Sequence, residues 1–416
     1  MLLFPILMAA AAIALAGDRN LVPESNVNSR YTVESVELRP LELSRLSQPL
    51  QDRIGGLVGS KFKPEVFQDV ADHIRRELRH WAVSFRLDKG TQPESVRVIF
   101  EVTRADPEVK LTVPQFVYHS KQNFSFGLDT GWQGDSNIFR LGVLTDNDKL
   151  LERHSGIRGG YERIGIVGDR LRAGLMIESW RSQWNPAIGR GLEDAPGVPG
   201  IYRTRLQLEP SATITLIRPL TLQLGVSVER VEMQFPSARH ELASAAIATL
   251  RFQRRWEPLP DRKHQLDASY GLRSATNLLS SDFVYTRQLW SARYRFRGTK
   301  DEFSVAAQAG LLQGRAPLFE RFILGNSTTL RGWNKYDLAP FGGNRMAHVS
   351  VDYRYHWLRM IWDSGSVWSA GATDARLRHS AAVGVASSGT PSVSALVAFP
   401  IREGRLEPTF ITGLNF

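Results

Sequence analysis

The chain has 416 residues, 52 Lys and Arg against 42 Asp and Glu, a net charge of +10 and no cysteine. That length accommodates two or more domains, and the absence of cysteine excludes a disulfide framework, a cysteine-ligated zinc site and thiol catalysis. The arginines are interspersed along the chain, with no run of five like charges, so the clustered basic face required for nucleic-acid binding is missing.

Residues 1–16 read as a signal peptide. Leu2 to Leu15 is apolar but too short to span a bilayer as a helix, and Ala14-Leu15-Ala16 is a small-x-small cleavage pattern. After residue 17 no apolar run of about eighteen follows, so a membrane would have to be crossed by a closed β-barrel. Residues 17–29 are polar and read as a linker.

Residues 30–105 predict a small α+β domain. Val33 to Leu38 is a strand, Leu46, Leu50, Ile54 and Leu57 recur at helical spacing, and Gly55, Gly56 and Gly59 end that helix. Pro64 opens a second helix, whose buried face is Phe67, Val70, Ile74, Leu78 and Trp81. Two strands follow, Val83/Phe85/Leu87 and Val96/Val98/Phe100/Val102, giving the order β-α-α-β-β.

Residues 106–121 are a linker or a first strand region, and residues 122–416 alternate strictly. Leu206, Leu208, Ala212, Ile214 and Leu216 are apolar, whereas Arg205, Gln207, Glu209, Ser211, Thr213 and Thr215 between them are polar. Such segments run about nine to twelve residues, the length of a tilted strand crossing a bilayer. Trp132, Trp180, Trp256, Trp290, Trp357 and Trp368 are expected at strand ends as interfacial girdles. Ten segments precede a long loop at 314–345 and five follow it. Single-chain bacterial barrels have even strand numbers, so a sixteenth strand is missing from this count. The faces on which the short turns fall put it before residue 170, with Leu111 to His119 one candidate and an unrecognised break between 133 and 165 another. Pro210 stands mid-strand.

The 314–345 loop carries Pro317, Gly325, Gly332, Pro340, Gly342 and Gly343 and is expected to be neither helix nor strand. Its apolar centre, with Leu330-Arg331-Gly332-Trp333, suits a tip folded into a cavity. Alternation turns Asp352, Asp363 and Gly365 inward, and two close carboxylates need a cation between them. Arg331 is expected to serve both.

Gly325 to Trp333, Pro340 to Asn344, Val351-Asp352-Tyr353-Arg354 and Trp362-Asp363-Ser364-Gly365 resemble the loop-six and following-strand motifs of the BamA/TamA superfamily of outer-membrane insertases and translocases, or bacterial surface antigens. Phe410, Leu414 and Phe416 resemble its C-terminal β-signal. The resemblance implies a periplasmic POTRA domain followed by a sixteen-stranded antiparallel transmembrane β-barrel in the bacterial outer membrane. It implies docking of clients at the POTRA unit and a lateral seam between the first and last strands. The partners implied are outer-membrane lipid, a client outer-membrane or secreted polypeptide, and a periplasmic accessory protein at the POTRA unit. A passive pore or structural surface barrel is the alternative. No catalytic set, metal site or cofactor is expected, since no G-x-S-x-G, H-E-x-x-H or P-loop occurs.

Overall fold

The computed structural model describes residues 30–415 apart from 79–80, 105–107, 135, 149, 168–169, 193–199, 218, 260–261, 370–374, 388–391, 403 and 405–406. The expected signal peptide, the 17–29 linker and Phe416 lie outside them, as does the side chain of Trp81. The chain divides into two units, with the break between Val109 and Lys110.

The first unit runs β1 (Thr32–Arg39), α1 (Gln48–Gly55), α2 (Pro64–Glu77), β2 (Trp81–Lys89) and β3 (Ser95–Arg104). β3 is central, parallel to β1 and antiparallel to β2. Alternation along β3 turns Val96, Val98, Phe100 and Val102 inward, where they meet Phe67, Val70 and Ile74 of α2 in one core. Phe67 stacks between Phe62 and Phe100, with ring centroids 5.2 and 6.4 Å away. Burying each such side chain contributes about 1.5–3 kcal/mol. The order is the expected β-α-α-β-β; residues 59–62 bridge the start of β1, and among the described residues no strand pairs with the outer edge of β2.

The second unit is a closed antiparallel barrel. Its strands are β4 (Glu108–His119), β5 (Asn123–Gly134), β6 (Asn137–Asn147), β7 (Glu152–Arg163), β8 (Leu171–Trp184), β9 (Ile201–Ile217), β10 (Leu220–Phe235), β11 (Arg239–Leu242), β12 (Ala245–Leu259), β13 (Arg262–Ala275), β14 (Val284–Arg297) and β15 (Asp301–Arg315). After the long loop come β16 (Arg345–Tyr355), β17 (Leu358–Trp368), β18 (Arg378–Ala386), β19 (Ser392–Ile401) and β20 (Thr409–Asn415). β11 and β12 pair with successive stretches of β10 and form one strand interrupted at Ala243 and Ser244, so the barrel has sixteen strands. β4 is the strand that the even-number argument required.

Burial along the strands is inverted relative to a soluble protein. On β9, Leu206 and Leu208 are 52% and 41% exposed, whereas Gln207 between them is 7% exposed. The polar row is therefore inside, and the apolar row faces outward, as a lipid-facing wall requires. Pro210 keeps register with Leu175 on β8, but the β9–β10 ladder has no partner for Glu209 or Pro210. A residue without an N–H is accommodated where the ladder skips.

Two expectations need correction. Trp180 faces inward, 9% exposed, with its Nε1 donating to Glu178 at 2.8 Å and Arg205 5.4 Å over its ring. Trp290 lies mid-strand rather than at an end, although it does face outward.

Candidate functional site: the inward loop and the barrel seam

The loop between β15 and β16 is not wholly irregular, contrary to the sequence expectation. Leu318–Glu320 forms a 3-10 turn and Lys335–Leu338 a single helical turn capped by the Asn334 side chain, which accepts from the Asp337 amide. Leu318, Phe322, Leu324, Leu330 and Trp333 of the loop are buried with Val231, Tyr285 and Met346 of the wall in one apolar cluster. This burial drives the loop inward, and polar contacts then set its register.

Arg331 Nη1 donates to both oxygens of Asp363 on β17, at 2.7 and 2.9 Å, and to Ser350 Oγ on β16 at 3.3 Å. The Arg331 amide donates to the same carboxylate at 3.0 Å. Side-chain exposures of 11% and 1% make this a buried pair. Next to it, the Leu330 amide donates to His348 Nε2 at 3.4 Å. Gly332 has φ +95, and a Cβ there would lie 3.0 Å from the backbone nitrogen of Pro400 on β19, so a side chain would push the loop off the wall. Trp333 Nε1 donates to the His379 carbonyl at 2.8 Å, and Arg378 and Arg402 lie over its ring. At Gly365 the missing side chain leaves room for Leu324, whose Cδ1 would be 3.2 Å from a Cβ.

Asp352 faces inward as expected, but Arg331 does not reach it. Its partner is Arg359, with Nη2 at 2.5 Å and Nε at 3.1 Å. The reason is register. Asp363 is opposite Ser350 and Asp352 opposite Ile361, so the carboxylates are one inward step apart, about 7 Å along the strands. Arg359, the next inward position beyond Ile361, neutralises Asp352 locally.

Two further anchors were not read from the sequence. Glu320 meets Arg273 of β13 at 2.8 Å and Arg287 of β14 at 3.5 Å, and its carbonyl accepts from Arg287 at 2.9 Å. Lys335 reaches Asp148 at 3.0 Å and Asp146 of β6 at 3.7 Å. The signal for Glu320 was a carboxylate set between apolar Leu318, Phe319 and Phe322 in a loop expected to enter a cavity, where it would need a cation. For Lys335 there was no local signal, because its partners lie some 190 residues away in sequence.

The loop also spans the seam between the first and last barrel strands. The Gly332 carbonyl accepts from Thr409 Oγ1 of β20 at 3.2 Å and from Lys121 Nζ, just after β4, at 3.5 Å. Gln122 Nε2 donates to the Gly325 carbonyl at 2.8 Å. Among the described residues the β4–β20 ladder has four register pairs, against fourteen between β14 and β15. Of the expected C-terminal signal, Phe410 is 52% exposed on the outward face and Leu414 shares its row, half-buried.

A closed sixteen-stranded barrel with an inverted face pattern and an inward-docked loop defines an outer-membrane β-barrel protein. Residues 263–402, which hold the loop and most strands that anchor it, match the Omp85 superfamily domain. That match covers the later part of the barrel, and there the chain is similar to the Omp85 superfamily domain. Its fold is similar to BamA from Haemophilus ducreyi lacking POTRA domains 1–3 (TM-score 0.58, 13% identity, 94% of this chain and 85% of that chain). It is also similar to CdiB from Acinetobacter baumannii (TM-score 0.57, 11% identity, 93% and 74%) and CdiB from Escherichia coli (TM-score 0.54, 11%, 93% and 77%). At these identities the likeness is one of fold. No curated protein matches the chain by sequence.

Proposed function

We propose that the chain assists insertion or translocation of client polypeptides at the outer membrane, through a lateral seam between β4 and β20, and does no covalent chemistry of its own. The supporting observation is the seam. Its short ladder exposes strand edges at low cost once opened, and an edge with free N–H and C=O groups templates a client strand. The loop latches the same seam through the Gly332 carbonyl, so loop docking and seam closure are coupled. In this reading the β-α-α-β-β unit is a POTRA-type periplasmic domain, and the free edge of β2 is where a client or an accessory protein adds a strand. Both barrel termini lie at the short-turn end, which this reading places on the periplasmic side.

The test is a seam lock. Tyr118 and Thr412 are register partners, and the chain has no cysteine to interfere. Cells carrying Tyr118→Cys with Thr412→Cys should lose client assembly under oxidising conditions and recover it with reductant. A locked barrel that supports full client delivery would leave the passive pore as the better reading.

A further inference from the structure

The outward face of the barrel changes character in one sector toward the long-loop end. On β8 the outward row passes from exposed Ile177 to Arg181, and on β10 from exposed Val228 to Arg230. Arg181 is opposite Thr204 and Arg230 opposite Leu206 on β9, so the two arginines flank that strand with a two-residue offset, about 12 Å apart between their Cα atoms. Arg153 is outward and exposed on the adjoining β7. Among the described residues Arg153, Arg181 and Arg230 have no hydrogen-bond or ion-pair partner, whereas the inward Arg205, Arg273, Arg331 and Arg359 are all paired. The one carboxylate between them, Glu232, accepts from Thr204 Oγ1 at 2.8 Å. A groove of about 300 Å³ opens here, lined by Ser179, Thr204 and Leu206 together with Arg230, Glu232 and His240.

Unpaired guanidinium groups just above an apolar band sit at the level of lipid headgroups, their stems against acyl chains and their forks in the polar layer. An arginine fork matches phosphate oxygens bidentately. The Ser179 hydroxyl adds a neutral donor, and the Thr204 hydroxyl oxygen and the Glu232 carboxylate add acceptors, which suit sugar hydroxyls. We propose that this sector binds the phosphorylated sugar headgroup of a glycolipid in the outer leaflet, with Arg181 and Arg230 on the phosphate and the groove on the sugar. The proposal rests on the outer-membrane orientation above but not on client handling.

The purified, delipidated full-length protein is incubated with a diphosphorylated glucosamine glycolipid (lipid A), its dephosphorylated form, or phosphatidylethanolamine, and retained lipid is read by native mass spectrometry. Wild type should retain the phosphorylated glycolipid selectively. Arg181→Gln with Arg230→Gln should reduce retention by roughly tenfold, the scale of losing a charge-assisted hydrogen bond. Arg181→Lys should fall between, and Arg254→Gln, on the outward face near the short-turn end, should change nothing. Heat-dependent gel mobility checks that each variant is a folded barrel. Equal retention by the double variant, or equal retention of the dephosphorylated lipid, would overturn the proposal. Displacement by millimolar inorganic phosphate would reduce the sector to a free-anion site and also overturn it. None of these readouts involves a client, so they stand or fall independently of the seam lock.

Discussion

Arg331 binds Asp363 twice over, once through its guanidinium at 2.7 Å and once through its own backbone amide at 3.0 Å. The second bond survives any substitution that keeps the backbone in place, so the two contributions are separable by mutation. Arg331→Ala leaves Asp363 buried and without its cation, which should cost roughly 3–5 kcal/mol of loop docking. Arg331→Lys should restore part of this, because an ammonium can meet Asp363 but lacks the planar fork. Protease cleavage within 316–344 on intact cells measures docking. Equal cleavage of wild type and Arg331→Ala would show that the pair does not hold the loop.

The separate pairing of Asp352 with Arg359 predicts a contrast between two similar substitutions. Asp363→Asn should expose the loop to protease nearly as much as Arg331→Ala. Asp352→Asn should leave the loop protected, since it disturbs only the β16–β17 wall. Equal exposure in both variants would mean that the carboxylates act as one unit.

Glu320 holds the first half of the loop to β13 and β14. In Glu320→Ala the Arg273 guanidinium keeps Glu229 at 3.2 Å and Glu209 at 3.8 Å, so the cost should be smaller, about 1–3 kcal/mol. Cleavage should rise between 316 and 325 more than between 330 and 340. Peptide mapping of the limited digest distinguishes the two, and uniform cleavage would count against independent anchors.

Thr409→Val keeps the shape of the side chain at the top of the seam but removes its hydrogen bond to the Gly332 carbonyl. A neutral bond contributes about 0.5–1.5 kcal/mol, enough to raise the open-seam population up to roughly tenfold. Oxidative crosslinking of Tyr118→Cys to Thr412→Cys in this background should become slower. An unchanged rate would separate the loop from the seam.

In the first unit, Glu34 accepts from the hydroxyls of Ser95 and Thr91 and from the Thr91 amide, which lowers its pKa from 4.5 to about 2. The folded value lies below the ordinary one, so the stabilisation is complete above about 4.5 and is lost as pH falls through about 2. Amide exchange at Thr91 in the full chain, corrected for intrinsic rates, should speed up across that window. Glu34→Gln should exchange fast at all pH values. A wild-type profile flat between these limits would refute the assignment.

Strand number, strand face and the inward direction of the long loop were legible in the residues alone. Alternation has a period of two, and reading it needs only neighbours in sequence, as Leu206, Gln207 and Leu208 illustrate. That a strand was missing before residue 170 followed from the even strand number of single-chain bacterial barrels and the faces of the short turns, and the structure decided that it is β4. Only the tertiary structure decided which charges meet. Asp352 and Asp363 look equivalent in sequence, yet strand register sets them one inward step apart and leaves Arg359 to one and Arg331 to the other. Glu320 with Arg273, Lys335 with Asp148 and Gly332 with Thr409 are likewise fixed by closure, which brings residues distant in sequence across the lumen and the seam, and no local pattern encodes that geometry.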